Sequence, residues 1–422
     1  MRIAIITENF FPKVDGVTRT LARLLEHLSL TGHQAIVLGP ETNMKSYANA
    51  ELVGTFGIPF FAYPELKLNF WRPGLTQKLL EFQPDVIHLV DPVFLGAFGL
   101  AVVRYYLPHV PIVSSYHTNL AVYCDHFGYG FFSSIMWKWN HYCHSFSQYV
   151  ACPSPSTRSI LYQHGFEHVR LWPRGVDISL FSTSRRSDQL RSKWTEDKDK
   201  IVILYVGRLS YEKNIHLVLD AYQHMDHKTC HLVLVGHGPS FHDIEKRCVS
   251  SNIPVTLTGY LQGKELAEAY ASADVFAFPS STETFGQVVL EAMASGLPVV
   301  GLNAEGVRDL VDHGSTGLLL DTTNLSLEQQ KKGYQGLLEK VTGDKKLLKR
   351  MSEKAVKKAA EYTWYEAMER MVQLYDASIS APEEIVTDER SPLLSHHKKL
   401  MYDSGDSGVE EDFCIDEALV KE

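Results

Sequence analysis

Short apolar runs, each the length of one buried strand and each followed by a helix-length stretch, leave this chain few folds to choose from. In its first half they are Arg2–Thr7, Gln34–Leu38, Asp85–Val90, Pro111–Ser115 and Gln148–Cys152. A charged break, Thr195–Lys200, interrupts the pattern. It then restarts as IVILYVG (Ile201–Gly207), HLVLVG (His231–Gly236), PVTLTG (Pro254–Gly259), DVFAFP (Asp274–Pro279) and LPVVG (Leu297–Gly301). Strands buried on both faces read as continuous apolar runs, and strands alternating with helices build a parallel, doubly wound sheet. Two batches predict an α/β chain with two Rossmann-like domains, joined by a linker near Trp172–Ser182. Ligands of such sheets bind beyond the carboxyl ends of the strands. Those ends here are expected to face an interdomain cleft.

The expected organisation is a first domain over residues 1–178, a second over 179–362, a helix over 363–380 crossing back onto the first, and a tail over 381–422. The tail carries 12 acidic against 4 basic side chains, most of the formal net charge of −9. The body is therefore nearly neutral, which argues against a nucleic-acid partner. Low apolar content and missing periodicity predict that the tail is disordered. Its segment Glu389–Leu394 matches an acidic dileucine pattern, short enough to arise by chance. The 6 cysteines form no metal-ligand spacing, so no zinc site is implied. Scattered cysteines fit a reducing compartment. MRIAIITENF reads as a first strand rather than a secretion signal. The longest apolar stretch, Val93–Val103, is about half a membrane span. A cytoplasmic protein is expected, with contact to the cytosolic face of a membrane open as a further step.

The densest chemistry lies in Ser280–Val300. Strand-like Val275–Pro279 leads into a polar turn, and a helix is expected from about Thr284 to Ala294. A helix start presents free N–H groups and the positive end of its dipole, a seat for phosphate. Glu283 at the helix mouth and Glu291 further along can accept hydrogen bonds from sugar hydroxyls. The same run, ETFGQVVLEAMASGLPVV, resembles the glutamate motif of the retaining glycosyltransferases of family four, which have the two-domain GT-B architecture. In look, SYHTNLAVYC, RLWPRGVD and ASADVFAFPSSTETFGQVVLEAMASG are most similar to the branch with plant sulfoquinovosyltransferase and bacterial lipid mannosyl- and glucuronosyltransferases.

The resemblance implies an acceptor-side first domain and a donor-binding second domain for a nucleoside diphosphate sugar. It assigns Arg208 and Lys213, in GRLSYEKN after the first strand of the second sheet, to the donor diphosphate. His117, in Ser115-Tyr116-His117-Thr118, lies beside the donor sugar; Glu283 holds sugar hydroxyls and Glu291 the ribose. Gly286, Gln287 and Val288 bring backbone amides to the phosphate, and Phe285 beside them is a donor-binding residue. Thr258, Gly259 and Tyr260 meet the base. Gly16 lets the first-domain loop approach the donor; relatives often carry two glycines there, whereas this chain has Asp15-Gly16. The only Asp-x-Asp, Asp197-Lys198-Asp199, sits in the charged break and reads as solvated charge. No catalytic metal and no cofactor are therefore expected, and two cations with a helix dipole are the natural substitute.

The implied reaction moves a hexosyl group from GDP-mannose or a UDP-sugar to a lipid or glycan acceptor, with retention. Asp91, after the strand Val86–Val90, is a runner-up for an acceptor contact. Phe131, Phe132, Ile135, Met136, Trp139 and Cys143 share one helical face. Core packing is the favoured account of that stripe, lipid docking the other, and LKLNFW with Arg72 is a second interfacial candidate. Rival readings remain a catalytically inactive GT-B scaffold and another GT-B enzyme such as a sugar phosphorylase or an epimerase. No pyridoxal-phosphate lysine motif is apparent.

Overall fold

Each apolar run becomes a strand because it can bury both faces only inside a sheet sandwiched by helices. In the computed structural model, residues 1–12, 15–60, 63–122 and 130–380 are described. The acidic tail and its dileucine pattern lie outside them. The first half runs β1 (Arg2–Thr7), α1 (Gly16–Leu30), β2 (Gln34–Pro40), β3 (Ser46–Tyr47), β4 (Ala50–Thr55), β5 (Gly57–Phe60), β6 (Tyr63–Asn69), α2 (Pro73–Phe82), β7 (Val86–Val90), α3 (Leu95–Tyr106), β8 (Ile112–Ser115), α4 (Ser133–His144), β9 (Tyr149–Cys152), α5 (Pro155–Gln163) and β10 (Val169–Leu171). Eight strands form one sheet in the order β10-β9-β8-β7-β1-β2-β4-β3, and β5 pairs with β6 in a separate ribbon. Only β3 runs antiparallel within the large sheet.

The second half runs α6 (Asp188–Trp194), β11 (Ile201–Val206), α7 (Ile215–Gln223), β12 (Cys230–Val235), α8 (Phe241–Ser250), β13 (Val255–Gly259), α9 (Gly263–Ser272), β14 (Val275–Phe278), α10 (Gln287–Ala294), β15 (Val299–Leu302), α11 (Val307–Leu310) and β16 (Gly317–Leu320). Its six strands order as β13-β12-β11-β14-β15-β16. Three helices end the described residues: α12 (Leu327–Gly343), α13 (Lys345–Ala359) and α14 (Trp364–Ser380). The apolar pattern gave no warning of β3 to β6, β10 or β16, which are short or carry polar residues.

Both strand orders reverse at one point, between β1 and β7 in the first sheet and between β11 and β14 in the second. A crevice opens at such a reversal because the flanking connections leave in opposite directions.

Helix α14 joins the two halves. Its Ala367, Met368, Met371 and Tyr375 pack in one core with Ile3, Ile5, Val86, Leu21 and Trp172 of the first half. The linker passes so close to the start of α14 that a Cβ at Gly175 would collide with the Trp364 amide nitrogen. The opposite face of the first sheet has its own core, with Ile6, Leu38 and Leu89 under Leu79 and Leu100. Among the described residues, no helix is long and apolar enough to cross a membrane.

Candidate active site

The second-sheet reversal brings the loop after β11 against the loop after β14. Lys213, in a 3-10 turn over Tyr211–Lys213, thereby reaches Glu283. Its Nζ donates to Glu283 Oε1 at 2.6 Å, and Ser280 Oγ donates to the same oxygen at 3.0 Å. Burial alone would push the Glu283 carboxyl up. The Lys213 ammonium, with both hydrogen bonds and Arg174 beyond, outweighs it and holds the carboxyl below its ordinary value. Glu283 is thus an ionised carboxylate. Arg208 follows on the same loop, half-buried, its carbonyl accepting from Tyr205 Oη at 2.9 Å.

Helix α10 starts later than the residue pattern predicts, at Gln287 rather than near Thr284. Gly286 is its cap, in the left-handed region with φ 92° and ψ 52°. Such a conformation favours glycine and ends the polar turn sharply. Glu283 to Phe285 therefore belong to the turn. The Gln287 and Val288 amides stand in the first turn, where no helical carbonyl can satisfy them. The Gln287 side chain reaches across to the linker, Nε2 donating to Gly175 O at 3.0 Å. Phe285 is buried, with the Arg174 guanidinium 5.9 Å above its ring.

Glu291 lies inside α10 and is only 3 % exposed. Tyr270 Oη donates to its Oε2 at 3.3 Å, and Arg19 of the first half stands 3.6 Å from Oε1. Burial pushes this carboxyl up to about 7 against the pull of Arg19. Thr258 and Gly259 close β13, and Gly259 takes φ 75°. The Tyr260 ring after them is 62 % exposed, open to stack on a flat ligand.

The first sheet answers from its own reversal. Glu8, just past β1, is buried with its Oε1 accepting from the Phe94 and Gly96 amides at 2.7 and 3.0 Å. It caps the start of α3. Burial outweighs those amides and lifts the carboxyl to about 7. Asp91, the runner-up for an acceptor contact, lies just past β7. It is buried, and its Oδ1 accepts from the His117 amide at 2.6 Å while its Oδ2 accepts from Thr118 Oγ1 at 2.9 Å. The His117 loop is therefore clamped by a carboxylate. The His117 ring meets Trp172 edge-on at 5.3 Å, and its Nε2 lies 2.9 Å from Ser115 Oγ. Burial, with Arg174 nearby, drives the imidazole well below its ordinary pKa, so it is neutral.

Arg174 is the residue the sequence reading passes over. It is 7 % exposed, and Asp15, Glu283 and Asp91 are the acids whose charge favours its ionised form against burial. Its Nε has no hydrogen-bond partner among the described residues. A Cβ on Gly16 would lie 2.6 Å from its Nη1, so the glycine at the head of α1 makes room for this guanidinium. The available signal was a charged residue within the tight run Pro173–Gly175 between two apolar blocks.

A seam of hydrogen bonds joins the two reversals. Thr284 Oγ1 donates to His117 O at 2.7 Å, and Thr157 Oγ1 donates to Glu305 Oε1 at 2.6 Å. Ser156 Oγ donates to Asp309 Oδ2 and accepts from the Gly306 amide. The Asp-x-Asp residues of the charged break, by contrast, are exposed.

The α4 stripe is not core. Phe131, Phe132, Ile135 and Trp139 are 71, 45, 59 and 40 % exposed, and only Cys143 of that face is fully buried. The helix packs instead through Asn140, Cys143 and His144. Apolar spacing defined the stripe correctly, but spacing cannot say whether another element covers it. Trp139 Nε1 donates to Val93 O at 2.8 Å, which sets the stripe beside a file of rings. In that file Phe56 meets Phe70 at 5.2 Å, Phe70 meets Phe94 at 5.3 Å and Phe94 meets Phe98 at 5.4 Å. In the second candidate patch Asn69 is buried and Trp71 half-buried, so it is less exposed than its composition suggests.

Residues 14–180 match the family described as Glycosyltransferase Family 4, and residues 186–358 match Glycosyl transferases group 1. The chain is 38% identical over 330 residues to a GDP-mannose-dependent alpha-mannosyltransferase of Mycolicibacterium smegmatis, covering 76% of this chain and 84% of that protein. It is 32% identical over 330 residues to the sulfoquinovosyl transferase SQD2 of Arabidopsis thaliana, covering 76% of this chain and 64% of the plant protein. In fold it is similar to sucrose-phosphate synthase from Thermosynechococcus elongatus, with a TM-score of 0.74 at 20% identity, over 89% of this chain and 98% of that one.

Proposed function

The chain belongs to glycosyltransferase family 4 and is a nucleotide-sugar-dependent glycosyltransferase of GT-B fold, and from that premise we propose that it transfers a hexosyl group, with retention and without a catalytic metal, from GDP-mannose or a UDP-sugar to a lipid or glycan acceptor at the cytosolic face of a membrane. The observation that carries this reading is the cluster at the second reversal. There Lys213 is ionically bonded to Glu283, in the turn that leads into the amide-bearing start of α10, and Arg208 lies on the same loop as Lys213.

The departing nucleoside diphosphate takes the electron pair of the anomeric C–O bond. That charge needs donors preplaced where it develops. Arg208, Lys213 and the Gln287 and Val288 amides supply them. An arriving diphosphate competes with Glu283 for Lys213, and the freed carboxylate then accepts hydrogen bonds from sugar hydroxyls. Glu291 takes the ribose hydroxyls, and Tyr260 stacks on the base. The acceptor oxygen forms its bond to the anomeric carbon on the face the phosphate leaves. Its proton passes to a phosphate oxygen, so no protein nucleophile is required. His117 is neutral and buried, suited to a hydrogen bond with the sugar rather than to carrying charge.

A lipid acceptor is supported by the aromatic band of the first domain. Exposed Phe131, Phe132, Ile135 and Trp139 beside the file Phe56–Phe98 make a contiguous apolar face of the kind that seats on a membrane interface. The relative named for GDP-mannose favours that donor.

The test is incubation with GDP-mannose, UDP-glucose and other nucleoside diphosphate sugars in EDTA, reading released nucleotide and the anomeric configuration of the product. One donor should be consumed, giving the α-product from an α-donor. Loss of turnover in EDTA restored by magnesium, or a β-product, would overturn the mechanism.

A further inference from the structure

Behind the His117 imidazole runs a line of buried polar side chains drawn from three elements. Tyr375 of α14 places its Oη 2.7 Å from His88 Nδ1. His88 of β7 places its Nε2 2.8 Å from Ser115 Oγ, and Ser115 of β8 lies 2.9 Å from His117 Nε2. Tyr375, His88 and Ser115 are each 0 % exposed, and His117 is 5 %. The line ends at His117 Nδ1, buried and without a partner among the described residues.

Proton counting leaves this line two states. Ser115 has one hydroxyl hydrogen and two imidazole neighbours, so it donates to one and accepts from the other. Both rings are neutral, His88 being pushed by burial down to about 3. In one state Tyr375 donates to His88, His88 Nε2–H to Ser115, and Ser115 to His117 Nε2; His117 then carries its hydrogen on Nδ1. In the reverse state His88 Nδ1–H donates to Tyr375, whose own hydroxyl hydrogen is stranded in the core with no acceptor among the described residues. The first state leaves one buried group unpaired, the His117 Nδ1–H, which a sugar oxygen can accept. The reverse state leaves two, the Tyr375 hydroxyl hydrogen and the His117 Nδ1 lone pair, and nothing bound at His117 relieves the hydroxyl, so the reverse state is the costlier.

We propose that Tyr375 sets the direction of this relay and so holds His117 in its Nδ1–H form, a fixed N–H donor for an oxygen of the donor sugar. Everything else about the ring is already settled: Asp91 grips the His117 amide and the Trp172 edge fixes the ring plane. Only the tautomer remained free, and the helix that returns from the second half of the chain decides it. Tyr375 is thereby a positioning residue, acting on the sugar through three side chains, His88, Ser115 and His117. The inference rests on the reading of His117 as facing the donor sugar.

Histidine-ring nitrogen NMR on the full chain tests the relay without any activity assay. The His117 and His88 signals are identified by their loss in His117→Asn and His88→Asn. The wild type should show Nδ1–H at His117 and Nε2–H at His88. Tyr375→Phe should introduce the Nε2–H form at His117 and lower kcat roughly five- to tenfold with nucleotide Kd unchanged. Ser115→Ala cuts the line without touching α14 and should mix the His117 tautomers likewise. An Nε2–H His117 in the wild type, or a tautomer unmoved in both variants, would overturn the relay. Undiminished turnover by His117→Asn would instead overturn the sugar contact while leaving the relay's direction to the spectra.

Discussion

At the scale of single residues, the cleft is built from charges that burial has made expensive and neighbours have made tolerable. Lys213 and Glu283 hold one another within a half-buried pocket, their side chains 16 and 18 % exposed. Lys213→Ala or Arg208→Ala should cut turnover about 10²- to 10³-fold, the range for removing one preplaced donor to developing negative charge. The circular dichroism spectrum should stay unchanged. Near-normal turnover would remove these cations from the leaving-group role. Glu8 shows the opposite balance. Its folded-state pKa of about 7, against an ordinary 4.5, means the folded chain keeps a proton that the unfolded chain sheds. Stability from this group is fully present below pH 4.5 and is lost as pH rises through 7, on the order of 3 kcal/mol at most. Glu8→Gln keeps the acceptor oxygen for the Phe94 and Gly96 amides and removes that titration. Its Tm relative to wild type should rise between pH 5 and pH 8; a constant difference would show that Glu8 is ionised throughout.

At the scale of elements, backbone conformation places the site as much as side chains do. Gly286 takes φ 92° where α10 begins, and a Cβ there would find ordinary contacts, the nearest at 3.5 Å. Gly286→Ala is therefore a matter of strain rather than space. It should cost about 1–2 kcal/mol of stability and raise the donor KM by tilting the first-turn amides. An unaltered KM would mean those amides do not meet the phosphate. Helix α4 carries the corresponding question for the acceptor. Phe131→Ser with Ile135→Ser touches only exposed positions. The doubly substituted chain should keep its Tm yet lose flotation with anionic liposomes, and flotation equal to wild type would move the membrane contact elsewhere.

At the scale of the whole molecule, two sheets become one site through a few polar contacts and one returning helix. Ser156 and Thr157 at the start of α5 meet Asp309 and Glu305 of the other half. Asp309→Ala removes the carboxylate that accepts from the Ser156 hydroxyl and amide and should lower unfolding free energy by about 1–3 kcal/mol in urea. A transition indistinguishable from wild type would show the seam adds nothing to stability. Helix α14 binds more tightly, its Met371 and Tyr375 fully buried against the first sheet.

The residue pattern by itself marked five strands of each sheet and the charged break between them, and the family resemblance of its motifs singled out Arg208, Lys213, Glu283 and His117. Those features are local: burying a strand on two faces demands a continuous apolar run, and holding a phosphate demands cations beside a helix start. Tertiary structure alone decided the rest. That Glu291 is enclosed beside Arg19, that Asp91 clamps a loop, that Arg174 sits among three acids and that the α4 aromatics face outward depend on which surfaces meet. Contacts between residues as far apart as His88 and Tyr375 leave no periodic trace in the chain, because each partner satisfies its own local pattern and only the packed core brings them within 2.7 Å.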